Sequence, residues 1–217
     1  MRRFPGSWRL NFSRLLCHPA TDRVIAIVAT IPFSIELWNR WTEGSADFAR
    51  MALGLNILVQ IITMLSRAPA QRVSMNPLFW LMACTATYGM LFFSAFASTG
   101  HPVVPGWATN AIAVFAIIIL LFARLSLGRS IGLVPAQRRI VTRGAYRWVR
   151  HPMYTGNFFA LLAVVLSSFA WINLCWMMII MGIFLAKSFI EEDFLRSDPE
   201  YAEYLAKVRW RWLPGVF

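Results

Sequence analysis

The chain has 217 residues, 58% of them hydrophobic and only 14% charged, which excludes a domain whose main solvent is water. Lys and Arg number 21 against 10 Asp and Glu, a net charge of +11, and such an excess calls for anionic lipid or nucleic acid as a neighbour. The placement of the charges along the chain decides between the two.

Arg2, Arg3, Arg9, Arg14 and Arg23 come first, with no short apolar stretch and small-residue cleavage site behind them, so no removable signal peptide is expected. Apolar runs long enough to cross a hydrocarbon core of about 30 Å follow near Val24–Trp38, Met51–Leu65, Leu78–Ser98 and Trp107–Leu127. The stretch from Asn157 to Ile190 is too long for one crossing, and Ser167, Ser168 and Asn173 predict a tight turn inside it between two antiparallel helices. The expected fold is therefore all-α: a polytopic helical membrane protein of five to six transmembrane helices, the last two a hairpin. No run shows the alternation a membrane barrel needs.

Loops on the cytoplasmic side of a membrane hold most of the Lys and Arg. The N-terminal segment, Arg67 and Arg72, the seven Arg from Arg124 to Arg150, and the tail from Lys187 to Arg211 fall on one side of this topology, and only Arg40 and Arg50 on the other. Both termini are thus expected in the cytoplasm, in a multi-pass protein of a bacterial inner membrane or its equivalent. The basic excess reads as orientation toward membrane lipids, with no nucleic acid as partner. Cys17, Cys84 and Cys175 are isolated, which indicates neither a disulfide framework nor a metal site.

Between the fourth and fifth spans runs LGRSIGLVPAQRRIVTRGAYRWVRHPMYTG, too long for a mere connector. Its plainest reading is a basic segment lying on anionic headgroups. Pro152, however, disfavours a helical His151 and suits a first helical turn, so the fifth span begins there with His151 at its mouth. A helix start beside Arg150 is a site for a carboxylate or phosphate. Tyr154 and Gly156 follow on the first turns, one able to stack on a ligand and the other to let it approach closely. The GRSIG run at Gly128–Gly132 reads as a close-packing bend.

Past the sixth span, Glu191, Glu192 and Asp193 form the densest acidic cluster. They could be ordinary helix-surface partners, Lys187 with Glu191 and Glu192 with Arg196, each four residues apart. Alternatively, returned by the hairpin to the level of His151, they could bind the positive groups of a ligand.

GAYRWVRHPMYTG, then EEDFL beyond a hairpin, then PEYAEYLAKV and a terminal WLP resemble the isoprenylcysteine carboxyl methyltransferase and phospholipid methyltransferase superfamily, over roughly Leu127 to Pro214. The resemblance implies two parts, N-terminal transmembrane helices in residues 1–126 and a C-terminal methyltransferase core in 127–217, with S-adenosylmethionine bound in a cytoplasmic pocket. Carried over by position, His151, Tyr154 and Gly156 match the RHPxYxG element and Glu191 and Glu192 the paired acids; with Tyr146 of the same string they form the expected cofactor-binding set. Arg150, Glu192 and Arg196 are the expected catalytic residues, an Arg to orient a carboxylate acceptor, an acid or His151 to take a proton from an amine. The sequence departs from the family at Ser197–Pro199 and Arg209–Trp212, which bears on the acceptor more than on the cofactor. A lipid or lipid-linked, lipophilic methyl acceptor is expected; its identity and the oligomeric state stay open. An NADPH-dependent membrane reductase of the sterol reductase type and a small-thiol methyltransferase are the alternatives, and a transporter is disfavoured by the scarcity of ionisable residues in the spans. No GxGxxG joins a strand to a helix, so a Rossmann-type enzyme is unsupported.

Overall fold

In a computed structural model, residues 15–42, 48–96, 100–132 and 136–216 are described. Arg2, Arg3, Arg9 and Arg14, the end of the third expected span at residues 97–98, and residues 133–135 of the long loop lie outside them. The chain is mostly helical: α1 (Pro19–Thr42), α2 (Phe48–Leu65), α3 (Pro77–Phe96), α4 (Gly106–Leu127), α5 (Pro152–Ser167), α6 (Trp171–Leu195) and α7 (Pro199–Lys207). Each of the six expected spans falls on one of the first six helices. Among the described residues two of these, α4 carried on to Ser130 and α6, are long and apolar enough to cross a membrane, while α5 and Gly54–Leu65 of α2 are apolar but shorter. One small departure from an all-helical fold is a two-residue antiparallel ladder, β1 (Arg72–Val73) against β2 (Ala136–Gln137), which ties the loop after α2 to the loop after α4.

Many apolar side chains face outward, and beside the apolar core several polar and charged ones face inward. Ile31 and Trp38 of α1, Ile118 and Leu125 of α4, and Ile172 and Met178 of α6 are exposed, whereas Asp22, Asn56, Gln60, Arg67, Arg124, Arg138 and Glu192 are buried. Burying a charge is costly unless it is paired, and Asp22 meets this demand by accepting from both Arg67 and Arg138 at 3.0 Å.

The pairing of α4 with α5 is the most extensive helix contact, and Gly156 permits it: a Cβ there would stand 2.6 Å from Leu120 Cγ. Gly156 therefore faces α4. Pro152 occupies the first turn of α5 with His151 as its N-cap, as its fixed φ and missing N–H favour. The hairpin turns between Ser167 and Trp171, where His101 and Phe169 exchange backbone hydrogen bonds and the Asn173 amide donates to Ser168 O. The GRSIG segment bends through a 3-10 turn at Gly128–Ser130, Gly128 taking φ +52°.

Candidate functional site

At the α5 start, the α6 end and the C-terminal tail, side chains from three distant parts of the sequence meet. The tail runs beside the loop, Arg150 N–H donating to Trp210 O and His151 N–H to Arg211 O at 2.9 and 2.8 Å. This seats Arg150, His151 and Arg211 around Glu192, which is 2% exposed. Arg211 donates to both Glu192 oxygens at 2.9 and 2.8 Å, Arg150 Nη1 reaches Oε2 at 2.9 Å, and His151 Nε2 lies 3.0 Å from Oε1. Glu192 thus pairs with these three groups and not with Arg196, whose contact with it is backbone only. Arg211 is also packed over the Phe189 ring at 3.9 Å.

Glu191, about 100° around the helix from Glu192, faces elsewhere. It accepts from the Tyr154 hydroxyl at 2.7 Å and sits 3.4 Å from Lys187 Nζ and 3.9 Å from His151 Nδ1. The Tyr154 ring stacks on His151, with centroids 5.1 Å apart and planes within 5°.

Glu191 opens onto a cavity of about 640 Å³ that reaches from this cluster deep between α2, α4 and α5. Its charged end is walled by Arg138, Arg150, His151, Lys187 and Glu191, with Tyr146, Tyr154, Tyr201 and Tyr204 beside them, and its far part mostly by apolar side chains such as Phe33, Ile57, Ile117 and Leu161, with Asn56, Gln60 and Arg124 among them. Gly144, at φ +61°, starts the turn that places Tyr146: Ser126 Oγ accepts from Ala145 N–H and fills the space a Cβ would need. Tyr204 donates to Tyr146 O at 2.8 Å. Burial first, then neighbouring acids and phenols, pushes the Tyr146 and Tyr201 hydroxyls well above the ordinary range, so both stay protonated donors at neutral pH.

Of the residues singled out in the sequence, Arg150, His151, Tyr154, Tyr146 and Glu191 line this cavity. Glu192 lies behind its wall, Gly156 faces α4, and Arg196 is exposed at the C-cap of α6. Sequence reasoning passed over Arg211, whose signal was its place in a Trp-Arg-Trp run beside the WLP terminus, and Arg124, which reads as an ordinary loop cation.

These features define a class: a helical bundle with an apolar exterior, enclosing a ligand-sized cavity with one charged and aromatic end. Residues 108–198, somewhat under half of the chain, from α4 through the hairpin to the acidic pair, match the phospholipid methyltransferase family, which is part of the isoprenylcysteine/phospholipid methyltransferase superfamily. The family is one of membrane-associated methyltransferases directed at lipid. No curated protein matches the chain.

Proposed function

We propose that the protein is an S-adenosylmethionine-dependent methyltransferase that takes a lipid or lipid-linked acceptor from the bilayer, with six spans and with both termini and the Arg129–Arg150 loop on the cytoplasmic side. The observation that carries this reading is the continuity of one cavity from Glu191 and the tyrosines to a largely apolar interior, so that a polar donor and a lipophilic acceptor can share it. The exposed apolar faces of α1, α4 and α6 support the membrane setting.

The residues fit the cofactor. The volume is within the roughly 300–1,000 Å³ of small-molecule sites, Glu191 offers a carboxylate to an ammonium, the cations beside it suit a carboxylate, and the tyrosines offer ring faces and hydroxyls. Bound there, the cofactor would supply an electrophilic methyl group on a sulfonium.

The protein's part is alignment and exclusion of water. Glu191, Tyr154 and Tyr146 hold the cofactor, and Glu192 positions rather than binds. An ionised Glu192 can only accept, so in neutral His151 the proton sits on Nε2. The Nδ1 lone pair is then left to take a proton from an amine acceptor. Arg150, whose Nε is buried without a partner in the cavity wall, is better placed than Arg196 to orient an acidic acceptor. The test is to incubate purified protein and native lipid extract with methyl-labelled S-adenosylmethionine. Label in an organic-soluble product is expected; label confined to water-soluble products overturns the lipid acceptor, and none in any product overturns the activity.

A further inference from the structure

Arg124 is 7% exposed, lies in the cavity wall, and has its Nε buried without a partner. Arg67, Arg138, Arg150, Arg211 and Lys187 are each paired with a carboxylate; among the described residues no carboxylate is paired with Arg124. Among the described residues its hydrogen bonds go to the backbone and side-chain oxygens of Asn56, and the Tyr146 hydroxyl is near enough to interact with its charge.

Its direction is equally unusual. A guanidinium near the end of a span ordinarily turns toward interfacial water. The ends of α2 and α4 are level, because Arg129 Nε donates to Ser66 O and Ala68 N–H to Arg129 O. Arg124 is one turn before the end of α4, yet it reaches Asn56, about two and a half turns before the end of α2, and so points into the bundle. Gln60, one turn along the same face of α2 from Asn56, also lines the cavity, and its Oε1 is buried without a donor. A buried guanidinium lacking a counter-charge is strongly unfavourable, and a ligand that brings an anion relieves it.

We infer that Arg124, Asn56 and Gln60 form an anion subsite for the acidic group, phosphate or carboxylate, of an amphiphile whose apolar tail lies against Ile57 and Ile117 in the same cavity. Gln60 Oε1 accepts from a hydroxyl or amine next to that acid. The inference rests on the reading of the cavity as a methyltransferase site and narrows its acceptor to an acidic amphiphile. The same chemistry has a second possible source, the cofactor's own carboxylate, which the test separates.

Purified full-length protein in neutral maltoside micelles is titrated calorimetrically with dodecyl phosphate and, in a separate arm, with S-adenosylmethionine. Arg124→Gln is expected to weaken dodecyl phosphate at least about tenfold, the loss of one charge-assisted hydrogen-bonding group, and to leave S-adenosylmethionine within about twofold; Arg124→Lys is expected to restore much of the phosphate affinity. Gln60→Met, which leaves the cation in place, tests the subsite if Arg124→Gln does not fold, with a loss of about threefold or more expected. Dodecyl phosphate affinity unchanged in these variants, or absent in the wild type, overturns the subsite. A loss confined to the S-adenosylmethionine arm assigns the anion to the cofactor and overturns the amphiphile. Wild-type protein that binds dodecyl phosphate through Arg124 but no S-adenosylmethionine keeps the subsite and refutes the methyltransferase reading instead.

Discussion

Glu191 and Glu192 read as equivalent in the sequence, and the structure separates them. Successive helical residues point about 100° apart, so the rotation of α6, which composition does not reveal, turns Glu191 to the cavity and Glu192 to Arg150, His151 and Arg211. Removing the charge of a fully buried acid strands its cations, which typically costs about 3–5 kcal/mol. Glu192→Gln is accordingly expected to lower thermal stability in detergent by about that much. Glu191→Gln, which loses a partly exposed charge, is expected to cost about 1 kcal/mol but to weaken cofactor binding about tenfold or more. Melting curves and binding titrations on both variants check the division; equal effects on the two readouts would remove it. His151 and Tyr154 were legible because Pro152 marks a helix start from sequence alone. Arg124 was not, because a charge near the end of an apolar run looks the same whether it turns to water or to the interior.

The helices were the most legible elements, since apolar runs of span length have few other solutions. The expected Met51–Leu65 and Trp107–Leu127 correspond to Phe48–Leu65 and Gly106–Leu127. The first run was underestimated at both ends, Val24–Trp38 against Pro19–Thr42, because hydropathy marks apolar content while the helix continues through polar residues such as Asp22. The tail was the least legible. Residues 208–212 have no regular hydrogen-bonding period, and their role comes from pairing with Arg150 and His151 across sixty positions, which no local pattern announces. Ending the chain at Val208 removes both backbone bonds and the Arg211 fork. Helical circular dichroism is expected to persist, since the six long helices lie upstream, while cofactor affinity falls at least about tenfold through misplacement of His151 and Arg150. Unchanged affinity in the shortened chain would show that the tail does not shape the site.

At the scale of the molecule, a membrane-like composition and a one-sided distribution of Lys and Arg were enough to propose a bundle with a cytoplasmic site, while the cavity itself was invisible, because it is built from helices on both sides of residue 127. Phe33, Asn56 and Gln60 belong to the part of the sequence that resembled nothing recognisable, yet they wall the same space as His151 and Glu191. A cavity with this charged and aromatic end could be tuned for either of two cofactors, a sulfonium carrying an amino acid or a nicotinamide dinucleotide with several phosphates. In the function proposed, Glu191 faces the ammonium of the first. Competition binding on the purified protein, with labelled S-adenosylmethionine displaced by unlabelled S-adenosylmethionine or by NADPH, tests this most directly. Saturable binding is expected that unlabelled S-adenosylmethionine displaces, that NADPH does not, and that Glu191→Gln weakens about tenfold or more; binding of NADPH in its place, with no saturable S-adenosylmethionine site, would contradict the proposed function.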